Sequence, residues 1–102
     1  MIVSEQEFRE ALKNKLKGIT AKCVTGPGRS GAIAAVYASY YLKIPFIPFN
    51  TLCPLKPILV VDTAEMSGAT LRKASRRYGL KDSLSIAIFQ ETSRIKFWYE
   101  NL

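Results

Sequence analysis

The chain predicts a three-layer α/β/α domain with a mainly parallel sheet of four to five strands, and three observations carry that prediction. Segments of strand character alternate with segments of helical spacing along the 102 residues. Ile58-Leu59-Val60-Val61 is continuous, β-branched and bounded, the pattern of a strand buried on both faces. Two glycine-bearing turns each follow a predicted strand and precede a predicted helix, as successive βα units require.

Taken in order, Ser4-Glu5-Gln6-Glu7 reads as a capping box, with Ser4 accepting from the Glu7 amide and Glu7 reaching back. Phe8, Ala11, Leu12 and Leu16 then recur at helical spacing, and Gly18 suits the left-handed position after the helix. A strand is predicted from Ile19 to Val24. A second helix follows from Ser30 to Leu42, with Ala32, Ala35 and Ala38 allowing close packing on a sheet. Ile44 to Phe49 reads as a short strand in which Pro45 and Pro48 forbid pairing on both sides. Asn50 to Pro57 is a connection. After Ile58–Val61, a third helix is predicted from Gly68 to Tyr78, with Leu71, Ala74 and Tyr78 inward and Arg72, Lys73, Arg76 and Arg77 outward. Leu84 to Phe89 is the last strand pattern, and the tail from Ser93 is aromatic and basic. No repeat or linker divides the chain, so residues 1–102 read as one domain.

Composition narrows the chemistry. The chain has no histidine, which excludes imidazole metal sites and Ser-His or Cys-His nucleophile pairs. Its net charge of +7 favours anionic partners such as phosphate esters or nucleic acid. Cys23 and Cys53 show no metal spacing and are expected as two free thiols of a cytoplasmic protein, with a disulfide between them as the alternative. No apolar run approaches the ~18 residues of a membrane span, and the first residues lack a secretory pattern.

In open α/β sheets ligands sit beyond the carboxyl ends of the strands, where both glycine-bearing turns fall. In the second turn, Asp62 leaves the buried strand and a helix begins near Ser67-Gly68. Helix amides at that point suit a phosphate, with the Ser67 and Thr70 hydroxyls as further donors. An aspartate one loop away suits sugar hydroxyls, so the pair suggests a ribose 5-phosphate. The first turn, Gly26-Pro27-Gly28-Arg29-Ser30-Gly31, combines a cramped backbone with a guanidinium fork for phosphate.

The segment Ile58-Leu59-Val60-Val61-Asp62-Thr63-Ala64-Glu65-Met66-Ser67-Gly68-Ala69-Thr70-Leu71 resembles the phosphoribosyl pyrophosphate (PRPP) signature of type I phosphoribosyltransferases. That pattern is a hydrophobic strand, two acidic residues, a loop and Thr/Ser-Gly-x-Thr. The resemblance implies that Met66, Ser67, Gly68, Ala69 and Thr70 wrap the 5-phosphate. It implies that Asp62 and Thr63 meet the ribose, with Asp62 also touching, directly or through water, a Mg²⁺ ion that accompanies PRPP. Thr63 departs from the pattern at the second acidic position, and Met66 stands where some members carry a carboxylate for proton transfer. Val24 to Ala35 is similar to the family's pyrophosphate loop, which implies that Gly28, Arg29, Ser30 and Gly31 receive pyrophosphate and that Gly28–Arg29 is a cis peptide. Leu42 to Pro48 is similar to the family's second strand, so the resemblance covers Lys22 to Gln90.

The activity implied is transfer of ribose 5-phosphate from PRPP to a nucleobase, with Arg29 and Asp62 as the catalytic residues and nucleotide salvage as the setting. The family's base-recognising hood is missing, and Phe97 and Trp98 in the tail are the candidates to stack a base, the alternative being that these aromatics cover the core or a dimer contact. A homodimer is expected, and no membrane association. Two alternatives stand beside the enzyme: a non-catalytic module that binds PRPP or a nucleotide on the same fold, and a nucleic-acid binder using the Arg72/Lys73/Arg76/Arg77 face and the N-terminal lysines.

Overall fold

A computed structural model describes residues 2–65, 68–90 and 95–102. The elements run β1 (Ile2–Val3), α1 (Glu5–Leu16), β2 (Cys23–Thr25), α2 (Gly28–Leu42), β3 (Ile58–Glu65), α3 (Ala69–Tyr78), β4 (Ser83–Gln90), β5 (Lys96–Phe97) and a 3₁₀ turn, Trp98–Asn101. The α1 capping box forms as the sequence predicts, with Glu7 N–H donating to Ser4 Oγ and Ser4 N–H to Glu7 Oε1, both at 3.1 Å. Gly18 takes its left-handed conformation at φ +80° just past the helix.

The sheet differs from the single four- to five-stranded one expected. Its order is β2-β3-β4, three parallel strands, while β1 and β5 form a separate parallel pair with Ile2 opposite Lys96. The proline-flanked segment explains one lost strand. It contributes an isolated bridge, Phe46 to Val24, in which Val24 N–H donates to Pro45 O and Ile47 N–H to Val24 O. Pro45 and Pro48 carry no N–H with which to extend the ladder. β2 is also shorter than predicted, because the Ile19 amide turns back to Leu16 O and closes α1.

Helices cover both faces of the three-stranded sheet. Leu59 and Val61 point to one face, into a cluster with Phe8, Leu12, Leu16, Ala34, Ala35 and Ala38 of α1 and α2. Cys23, Ile58 and Val60 point to the other, against Leu71 and Ala74 of α3. Alternation along the strands thus assigns each side chain to one layer. The four residues Ile58–Val61 are all at most 1% exposed, as the two-sided burial of a central strand demands. The ring of Phe8 gathers Tyr37, Phe97 and Trp98 at centroid distances of 5.3, 6.1 and 5.6 Å, and so fastens the β1–β5 pair beneath α1 and α2. Among the described residues no helix is long and apolar enough to cross a membrane.

Candidate functional site

β2 and β3 run parallel, with Thr25 opposite Val60, so both deliver their chains to the same rim of the sheet. At Thr25 the chain leaves β2 and turns through Gly26 and Pro27 into α2. The turn is pressed on its surroundings. A Cβ on Gly26 would lie 2.0 Å from Gly31 O and 2.6 Å from Val61 O, and one on Gly31 would lie 2.8 Å from Gly26 C. Two residues without side chains therefore let α2 start directly against β3. Gly28, the first residue of α2, is left-handed at φ +68° with open space around it. Arg29 is exposed and Ser30 half-buried. The peptide expected to be cis, Gly28–Arg29, is trans; the cis bond among the described residues is Lys56–Pro57.

The second corner begins later than the sequence suggests. β3 continues through Asp62 and Thr63 to Glu65, because β4 stays paired with it as far as Gln90. Asp62 is 8% exposed and its Oδ1 accepts the Thr63 N–H at 2.8 Å, which fixes the carboxylate against the strand. Met66 and Ser67 lie outside the described residues. Gly68 caps α3 at φ +76°, and Ala69 and Thr70 open the helix. The N-cap positions of α2 and α3, Pro27 and Gly68, offer no side-chain acceptor to the first turn, in contrast to Ser4 of α1. Each of these helix starts is the positive end of its helix dipole.

A cleft of about 280 Å³ joins the two corners, lined by Pro27 of the first and Thr70 of the second, with Phe49, Asn50, Lys73, Ala74 and Arg77. Lys73 and Arg77 were expected on a solvated outer face; they are exposed, yet both border this cleft. Asn50 holds the arrangement together. Its Oδ1 accepts from Arg77 Nε at 2.7 Å, its N–H donates to the Tyr78 hydroxyl at 2.8 Å, and its backbone is left-handed at φ +72°. A non-glycine residue at such a φ persists where its surroundings fix it. Arg72, predicted to point outward with the basic face of the third helix, folds back: its Nη1 lies 3.0 Å from where a Gly68 Cβ would stand, so its guanidinium lies over the start of α3. The signal was present, since Gly68 and Arg72 are four apart and share one helix face.

Phe97 and Trp98 sit elsewhere. Phe97 is 3% exposed and Trp98 packs on Phe8 and Tyr37, so both serve the aromatic cluster of the core. Tyr99 is the tail residue at the first corner. Its ring stacks on Phe97 with planes 7° apart, and its hydroxyl donates to Ser30 Oγ at 3.1 Å. Beside it lies a cavity of about 450 Å³ lined by Arg29, Ser30, Ile33, Tyr99, Glu100 and Leu102. The residues named from sequence at the first corner, Gly28 to Gly31, thus stand between two concave surfaces.

One group at the rim is unsatisfied. Thr25 Oγ1, on a residue 0% exposed, has no hydrogen-bond partner among the described residues. A buried orphan hydroxyl costs about 1–3 kcal/mol, whereas an apolar group of the same shape is neutral or better. Thr25→Val is accordingly expected to leave the denaturation midpoint unchanged or raised. A lowered midpoint would show that the hydroxyl supports the fold.

No family model and no curated protein matches this chain. Solved structures do. The chain is similar to the xanthine-guanine-hypoxanthine phosphoribosyltransferase of Helicobacter pylori, with a TM-score of 0.78 and 20% identity over 97% of this chain and 92% of that one. It is similar to a purine phosphoribosyltransferase of Pyrococcus horikoshii, with a TM-score of 0.66 and 18% identity over 95% and 93%. A hypothetical protein of Neisseria gonorrhoeae with bound ppGpp superposes with a TM-score of 0.61 and 13% identity over 95% and 80%. At these identities the likeness is one of fold: the chain has a phosphoribosyltransferase-like fold.

Proposed function

We propose that this rim binds PRPP, or the 5-phosphate end of a nucleotide, and transfers ribose 5-phosphate to a purine base with release of pyrophosphate. The observation that carries the reading is that two glycine corners share one rim, with a cationic cleft running from Pro27 to Thr70. The fold likeness to purine phosphoribosyltransferases supports it.

In the proposed reaction the bond from ribose C1 to pyrophosphate breaks, a base nitrogen bonds to C1, and the proton that this nitrogen carried leaves to water. The ribose gains positive character and the leaving group negative, so catalysis is positioning and electrostatics. The main chain of Gly68, Ala69 and Thr70 receives the 5-phosphate, together with Met66 and Ser67. Asp62, steadied by the Thr63 N–H, accepts from the ribose hydroxyls and favours the cationic ribose; the Thr63 side chain, next along the strand and 3% exposed, turns to the opposite face, so Thr63 serves through its main chain. Arg29 and the backbone of Gly28, Ser30 and Gly31 receive pyrophosphate. Lys73 and Arg77 raise the positive potential of the cleft. The base enters the cavity beside Arg29 and Ser30, where Tyr99 takes the part expected of Phe97 and Trp98.

Mg²⁺ fits this chain as an ion carried in by its ligand. Among the described residues no three carboxylates or thiols cluster. Mg²⁺ commonly binds one or two carboxylates together with substrate phosphates and water, and Asp62 supplies one carboxylate. When bound with pyrophosphate, the ion neutralises the leaving group.

The test is release of pyrophosphate from PRPP and Mg²⁺ with hypoxanthine, guanine, xanthine and adenine offered in turn. Turnover with at least one base is expected. Asp62→Asn should weaken PRPP binding about 10- to 100-fold, the worth of a hydrogen bond to a charged acceptor. A second reading, a binding module without turnover, is favoured by Thr63 in place of an acid and by the ppGpp-bound neighbour. PRPP or nucleotide binding by calorimetry with no pyrophosphate from any base would select it. Salt-sensitive RNA binding that PRPP fails to displace would instead select the basic-surface alternative.

A further inference from the structure

The two cysteines, far apart in sequence, meet in space. Cys23 opens β2 and is 0% exposed, while Cys53 lies half-buried in the Asn50–Pro57 connection. Their Sγ atoms are 2.9 Å apart, and both approach the carbonyl of Leu55, at 3.5 and 3.6 Å. The backbones that carry them are fixed to one another. Lys22 N–H donates to Pro57 O at 2.9 Å, and Cys23 stands opposite Ile58 in the β2–β3 ladder. A disulfide needs the sulfurs to approach to about 2.05 Å, a movement that side-chain rotation and a small shift of the connection supply.

We propose that Cys23 and Cys53 are a reversible oxidation site, closed to an intramolecular disulfide by peroxide and opened by thiols. Cys53 is the sulfur that solvent reaches. Its thiolate attacks one peroxide oxygen, the O–O bond breaks, and the other oxygen leaves as water once protonated, giving a sulfenic acid on Cys53. Cys23 then attacks that sulfur, and its thiol proton leaves with the displaced hydroxide as a second water. Two thiols and one hydrogen peroxide thus become one disulfide and two waters. Burial, with the Cys53 contact second, pushes the Cys23 thiol up to about 12. Cys23 is therefore the protonated, resolving partner rather than the one that meets peroxide.

The bond would enclose the whole segment from Cys23 to Cys53, which contains the Gly26–Gly31 corner and all of α2. It would also tie down the connection three residues after Asn50, the residue that holds Arg77 at the cleft. Oxidation therefore reaches the ligand-binding rim through the backbone. That last consequence rests on the function proposed above; the disulfide itself does not.

The experiment treats the folded, reduced chain with hydrogen peroxide and follows intact mass, thermal unfolding and free thiols. The expected product is a monomer two hydrogens lighter, with Tm raised by about 10 °C and restored by dithiothreitol. In the reduced native chain one thiol should react quickly with an aromatic disulfide reagent, and two after denaturation. Cys53→Ala, at a half-buried position that tolerates the change, should lose both the mass change and the Tm shift. Cys23→Ala, if folded, should instead let dimedone label Cys53 after peroxide. A chain that keeps both thiols while Cys53 is carried on to sulfinic acid would overturn the proposal, as would a disulfide found only between two chains. Disulfide closure with PRPP affinity unchanged would keep the oxidation site and remove its link to the rim. Disulfide closure in a chain that binds no PRPP or nucleotide at all would count against the proposed function alone.

Discussion

Gly26→Ala is expected to lower stability by about 3 kcal/mol or more, the upper range for forcing atoms into a packed site. The added methyl has nowhere to go. It would meet Gly31 O at 2.0 Å and Val61 O at 2.6 Å, both backbone atoms that a side-chain rotation cannot move. Relief requires α2 to lift from β3, which would also pull the Arg29 corner from the rim. Equilibrium denaturation should show a clearly lowered midpoint, and PRPP or nucleotide binding should fall in the fraction that remains folded. Gly28→Ala makes the informative contrast. Gly28 has open space, so its substitution pays only for the left-handed φ, about 1–2 kcal/mol. Equal effects at the two glycines would mean that the close approach of the corner to β3 is not what requires Gly26.

Phe8→Ala should cost about 4 kcal/mol, the usual loss for a fully buried phenylalanine. For a domain of this size that is a large share of total stability and lowers Tm by tens of degrees. Phe8 is 0% exposed and touches rings from α2, β5 and the 3₁₀ turn, so its loss opens a void where four elements meet. Trp98 fluorescence should shift to the red as the indole gains water, before the far-ultraviolet helix signal is lost. Tyr37→Phe is the control. It keeps the ring against Phe8 and removes only the hydroxyl that donates to Glu5, so a change within about 1 kcal/mol is expected at this exposed bond. If Phe8→Ala unfolded at the temperature of the unaltered chain, the aromatic cluster would not be what secures the C-terminal segment.

Local signals were legible in the sequence. The Ser4/Glu7 cap and the Gly18 stop concern residues a few positions apart, and the structure contains both. The two-sided burial of Ile58–Val61 was legible because it needs only an unbroken apolar run. Where partners decide, the reading fell short. Asp62 to Glu65 look like a loop because they are polar, yet β4 keeps them in the ladder. Ile44–Phe49 looks like a strand because it is apolar, yet two prolines leave a single bridge. Lys73 and Arg77 read as solvated because the helix wheel sees only their own helix, whereas Asn50 from another segment makes them the wall of a cleft. Phe97 and Trp98 carry the same lesson: aromaticity was visible in the tail, but which ring borders a cavity and which fills the core depends on Phe8.

The pairing of Ile2–Val3 with Lys96–Phe97 bears on the order in which the molecule assembles. Nearly the whole polypeptide separates these partners, so bringing them together carries the largest loop-closure entropy in the domain. Four short-strand residues repay little of it by themselves. That ladder should therefore form after the β2-β3-β4 sheet is in place, and be the earliest to open by spontaneous fluctuation. Amide exchange at Val3 and Phe97 would then outpace exchange at Leu59 and Val61. Each opening would release Tyr99 from Ser30, so the cavity by Arg29 would change shape at the rhythm of chain-end fraying while the central strands stayed intact.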